Sequence, residues 1–197
     1  MWIKLTGDLG RPLFANLKRI SAVRQPAGGP TGARLAFLSG SNVYVSESVD
    51  KLMRTIGRPS GDDVGLWTTL TNEFGKPVGV NLERARLVRP GTGTFGGSML
   101  VFLPEFNLYV KESPTEIGAV LDEHANRKAA DAWIKLTSEE KKWILVNGTR
   151  VATVRPGPVT ASGAFLTFVG GGQICVTESP AEVMNVVRGL AEDDGGG

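Results

Sequence analysis

The sequence predicts a mainly β protein of the α+β kind, made of three tandem units of about 57 residues, each with about five short strands and one C-terminal helix. Three observations predict it. The opening WIKLTGDLG returns at Leu66 as LWTTLTNEFG and at Ala132 as AWIKLTSEEK. Gapless offsets of 65 and 66 residues pair Trp2 with Trp67 and Trp133, Asn16 with Asn81 and Asn147, and Glu47 with Glu112 and Glu178. Short apolar runs, separated by Gly, Pro and Asn, lead each time to a Ser that can start a helix.

Within the first unit the strands read WIKLT, RPLFAN, KRISAVR, ARLAFL and NVYVS, and the identities that continue through the copies include Gly32, Gly97 and Gly163. The helix comes last. Ser113 and Ser179 can each act as N-cap, Pro114 and Pro180 suit the first helical position, and Glu116 and Glu182 complete a capping box. Ser48 takes the same place without the Pro or the Glu. Leu52, Met53 and Ile56, and later Val183, Val186, Val187 and Leu190, recur at helical spacing, so one helical face should pack on the sheet.

The units span 1–57, 66–122 and 132–190, with linkers at 58–65 and 123–131 and an acidic, Gly-ended tail at 191–197. The first linker is turn-rich, whereas the second could prolong the second helix. A unit of this size buries too little surface to be comfortably stable alone, so the three should share interfaces. Three copies suit a closed ring with pseudo-threefold symmetry; an open row of beads is the alternative.

A composition of 41% hydrophobic and 21% charged residues is that of a soluble globular protein. The net charge of +2 does not advertise nucleic acid, which is not an expected partner. Cys175 stands alone and no charged segment followed by an apolar run opens the chain, so a cytoplasmic location is the expectation. The apolar stretches fall far short of the roughly 20 residues that span a bilayer, so membrane insertion is not expected.

Tested for chemistry, the repeats offer little. GTGTFG at 91–96 satisfies a dinucleotide-binding spacing, but SMLVFL after it reads as a strand where the motif needs a helix, so a hairpin loop is expected. His124 is the only histidine and has no counterpart in the other units, which leaves catalytic triads and most transition-metal sites without a ligand or base. Cys175, in the apolar run QICV, reads as a packing thiol. The sequon Asn147-Gly148-Thr149 reads as accidental, and Asn16, Asn81 and Asn147 as Asx-turn residues. Trp2, Trp67 and Trp133 read as core or interface packing. No enzyme activity and no cofactor are expected.

The repeated charges are the candidate binding residues. Arg19, Arg84 and Arg150 begin the third strand of each unit, and Arg24, Arg89 and Arg155 end it. On a threefold ring each set forms a triangle that could hold an anionic, nucleotide-like ligand, with the Gly-rich loops closing over it. The alternative is a bridge to Glu47, Glu112 and Glu178, each of which precedes a helix cap where negative charge is favoured.

A short β-rich unit that runs I-K-L-T, G-x-P-x-x-V-N, I-x-x-V and L-x-F-x-G-G-x-x-x-V-x-E-S before a helix is approximated by each copy, with WTTLT at 67–71 and KKWILVN at 141–147 as departures. This pattern resembles the FlbD family of small bacterial proteins, carried here by Ile3, Lys4, Leu5, Thr6, Gly10, Asn16, Ile20, Val45, Glu47 and Ser48 and their counterparts. The family's members are single-unit proteins associated with flagellar operons and swarming motility, and related reading frames occur in phage-like settings. The resemblance implies a non-enzymatic accessory with a protein partner of open identity. This chain departs from the family by fusing three copies and by its inserts AGGPTG, GTGTFGG and GPVTASG. The leading expectation is an interaction protein docking on a bacterial or phage assembly; capture of an anionic small molecule such as a signalling nucleotide is the second.

Overall fold

The computed structural model describes residues 1–7, 9–26, 32–57, 65–93, 96–103, 106–124, 132–157 and 163–192. The molecule is mainly β. Strands β1 (Trp2–Thr6), β2 (Pro12–Asn16), β3 (Ile20–Arg24), β4 (Ala33–Phe37) and β5 (Asn42–Val45) precede helix α1 (Val49–Ile56). From Trp67 follow β6 (Trp67–Thr71), β7 (Pro77–Asn81), β8 (Leu87–Pro90), β9 (Ser98–Leu103), β10 (Phe106–Val110) and α2 (Pro114–Asp122). From Trp133 follow β11 (Trp133–Thr137), β12 (Trp143–Asn147), β13 (Val151–Pro156), β14 (Ala164–Phe168), β15 (Gln173–Val176) and α3 (Pro180–Glu192).

The first two strands of each set form an antiparallel hairpin and the next three an antiparallel meander. Hairpin and meander of one sequence unit do not share a sheet. Instead β7 pairs with β3, giving the five-stranded order β5-β4-β3-β7-β6, and β12 pairs with β8, giving β10-β9-β8-β12-β11. Two pieces are left over, the two-stranded β1-β2 and the three-stranded β13-β14-β15. The expected ring would need β13 on β2, and the sheets contain no such pairing among the described residues.

Close backbone approach explains the repeated glycines. A Cβ on Gly97 would sit 2.0 Å from the Val110 carbonyl oxygen, and one on Gly163 1.8 Å from that of Val176. Any side chain there would push the first strand of the meander's second hairpin off its partner.

Helix starts follow the sequence. Ser113 and Ser179 each accept from the backbone N–H of Glu116 and Glu182, at 3.3 Å in both cases, while those carboxylates accept from the Ser backbone N–H at 2.7 Å. Ser48 caps α1 by accepting from the Lys51 N–H. Leu52, Ile56, Ile117, Leu121 and Val183 are buried on the helical faces that meet the sheets. Each core borrows from its neighbour: Trp67 packs into the core under α1, and Trp133 and Leu145 join the one under α2. The 94–95 part of the Gly-rich loop, most of both linkers and the 193–197 part of the tail lie outside the described residues; β9 does follow that loop as expected, and α3 runs to Glu192, two residues into the expected tail.

Candidate functional site

The three repeated glutamates have one geometry. Thr6 N–H donates to both oxygens of Glu47 at 3.0 and 3.1 Å, Thr71 N–H to Glu112 at 2.8 and 3.0 Å, and Thr137 N–H to Glu178 at 2.8 and 3.0 Å. In each case the carboxylate spans 41 residues and ties the end of the first strand to the turn before the helix. It sits where the main chain would otherwise leave a half-buried donor unpaired.

The first arginine set divides. Arg19 is exposed at the end of the short turn Leu17–Arg19. Arg150 reaches back to donate from Nε and Nη2 to the Glu83 carbonyl oxygen at 3.3 and 3.1 Å. Burial first, then Arg84 and Arg86, lower the pKa of Arg150, with Glu83 opposing. Arg84 and Arg150 are thus neighbours at the contact between the second and third units, and Arg19 has no place in that group.

The second set is spread over three sheets, Arg24 on β3, Arg89 on β8 and Arg155 on β13. Half-buried Arg24 lies opposite Arg34 across β3 and β4; burial, then Arg34, lower its pKa while Glu73 and Tyr44 oppose. Arg155 is exposed, 5.1 Å from the Phe165 ring. Arg89 lines a cleft of about 260 Å³ with the β11–β12 turn and β15. The charges there are mixed: Arg89 and Lys142 stand with Glu139 and Glu140, and Lys142 pairs with Glu140 at 3.2 Å. Cys175 also lines the cleft, and burial, then Glu139, push its thiol up to about 11, far from a nucleophile's range.

Arg86 is not marked by the repeat: Ser21 and Ala152 hold its place in the other units. It is 4% exposed, its guanidinium donates to the Gly171 carbonyl oxygen, and burial lowers its pKa. A lone arginine between apolar residues was the available signal, but periodicity cannot weigh it.

The N-terminal hairpin differs most from its counterparts. Its register places Trp2 opposite Asn16 and Lys4 opposite Phe14, so Trp2 and Phe14 share one face. Trp2 is 67% and Phe14 62% exposed, with Leu9 in the adjoining turn at 80%. Trp67 and Trp133 pack as expected and Trp2 does not, for a local reason. Helix α1 packs on β7, so closely that a Cβ at Gly79 would meet the Met53 sulfur at 2.2 Å; helix α2 packs on β12, where a Cβ at Gly118 would lie 3.8 Å from Leu145. Phe14 stands where the other hairpins carry Gly79 and Leu145, and among the described residues no helix covers it.

Among the described residues no group of three or more His, Cys, Asp or Glu side chains is placed to hold a metal ion, and no helix is long and apolar enough to cross a membrane. Compared with protein-family models, curated proteins and solved structures, the chain gives no match.

Proposed function

We propose that the chain is a non-enzymatic accessory protein, a tandem of three FlbD-like units that docks on a bacterial or phage protein assembly. The observation that carries this reading is the shared face of Trp2 and Phe14, two large exposed apolar side chains on the N-terminal hairpin. Scattered exposed apolar residues need no explanation, but a group on one sheet face marks an interaction surface. Capture of an anionic nucleotide draws less support. Arg86 and Arg150 direct donors to backbone carbonyls, and the cleft beside Arg89 holds as many acids as bases.

The test is a photo-reactive amino acid placed at Phe14 in the full chain and irradiated in the producing cells, with the same group at exposed Thr115 of α2 as control. The reading expects defined protein adducts from position 14 and none from 115. Equal, diffuse labelling at both positions would overturn it.

A further inference from the structure

The docking face has a counterpart elsewhere in the same molecule. At the first junction β3 meets β7 with Val23 opposite Gly79; at the second β8 meets β12 with Val88 opposite Leu145. These are sequence-equivalent positions, so the two junctions share one register. At both, the preceding unit supplies a strand edge and a covering helix, and the following unit supplies a hairpin. Among the described residues, then, the first unit's hairpin pairs with no other edge, and the third unit's edge, β13, receives no hairpin.

We infer that the third unit of one chain receives the N-terminal hairpin of a second copy, with β13 pairing β2 in the register of the existing junctions, Val154 opposite Phe14. This rests on the docking reading and names its partner. Continuity with the interfaces already formed selects that partner, because any other protein would have to imitate the β13 edge and the helix after it. The helix residue equivalent to Met53 and Gly118 is Met184, which would lie against Phe14, a favourable pairing of thioether and aromatic ring. The contact joins two different surfaces, so it propagates head to tail, closing into a ring of several chains or continuing as a filament. Strand addition supplies main-chain hydrogen bonds, and the Trp2 and Phe14 face supplies the apolar burial.

The experiment is sedimentation velocity on the purified full chain across a concentration series, followed by cysteine pairing. The expected result is material at multiples of 20.9 kDa that grows with concentration, and a fall of at least about tenfold in that material for Phe14→Glu, which would bury an unpaired charge. In a Cys175→Ser background, a Phe14→Cys chain is then mixed with a Val154→Cys chain under mild oxidation. Directly opposed residues of an antiparallel pair lie within disulfide reach. The inference expects a covalent dimer in the mixture and none from either chain alone.

A chain that stays at 20.9 kDa with no mixed disulfide overturns it, as does a chain carrying both cysteines that links only within itself. The two proposals fail differently. If position 14 labels a different protein in cells while the purified chain stays monomeric, the second-copy inference falls and the docking reading stands; if position 14 labels nothing, both fall.

Discussion

Replacing Glu112 by Ala tests whether the repeated acids hold the fold or await a ligand. The carboxylate receives one N–H, from Thr71, on both oxygens at 2.8 and 3.0 Å, and Thr71 in turn accepts from the Lys111 N–H at 2.7 Å. Removing the acid leaves a half-buried donor unpaired at the point where β6 meets the turn before α2. A hydrogen bond to a charged group contributes about 1.5–3 kcal/mol, and partial water access at this site argues for the lower half, about 2 kcal/mol. In a chain of this length that is a fall in Tm of about 4–8 °C. In urea, with a slope of about 2 kcal/mol/M, it is a midpoint lower by about 1 M.

Urea unfolding followed by far-ultraviolet circular dichroism measures it, with Glu112→Gln retaining one acceptor and losing about half as much. Glu47→Ala and Glu178→Ala should behave alike, since each carboxylate makes the same contact. A Glu112→Ala midpoint equal to that of the unaltered chain would refute the reasoning. It would mean that water replaces the carboxylate without loss, and the acids would again be candidates for a ligand.

Gly163→Ala should destabilise by about 3 kcal/mol or more, because the new methyl meets the Val176 carbonyl oxygen at 1.8 Å and only backbone displacement can relieve it; unfolding in urea reads the loss. The Cys175 thiol, pushed up to about 11 by burial first and then by Glu139, should resist an aromatic disulfide reagent at pH 8 in the folded chain and react at once in denaturant. Hydrogen bonds from Ser113 and Ser179 hold Glu116 and Glu182 below the ordinary value of 4.5. Their stabilising contribution is therefore complete above about pH 4.5 and fades as pH falls through the lowered folded values. The stability difference between the unaltered chain and Glu116→Gln should shrink from pH 7 to pH 3; a difference independent of pH would remove the capping box as its source.

The strands and caps were legible in the sequence because they depend on local signals. WIKLT alternates, Ser-Pro-x-Glu satisfies its own helix start, and Gly163 recurs because one carbonyl oxygen leaves no room for a Cβ. What sequence comparison could not supply is which copy a strand pairs with. Register within β1 and β2 follows from a short turn, but the partner of β7 is β3, more than 50 residues away, and nothing in PVGVN says so. For the same reason the three tryptophans read alike while Trp2 is exposed and Trp67 and Trp133 are packed. Arg86 is not legible for the opposite reason, since a residue present once carries no repeat to mark it.

The two strands with an open edge at the ends of the series, β2 and β13, also differ from strands whose edges are protected. Protected edges carry an inward charge, a central Lys or Pro, or a bulge that turns the edge away. In β2, PLFAN, the Pro is at the first position, as it is in paired β7, and the centre is Leu-Phe-Ala. In β13 the Arg and Pro stand where paired β8 also has Arg89 and Pro90, and the irregular register near its start recurs in paired β3. None of these features is an addition at the ends. The one change toward polarity is Thr153, where β3 has Ala22 and β8 has Leu87, and threonine is itself a good strand former. Lack of lysine alone does not mark a junction, since the edge strand β6, WTTLT, has none either. The reason to expect that β2 and β13 are junction halves is that their sequence equivalents already pair in one shared register, β3 with β7 and β8 with β12.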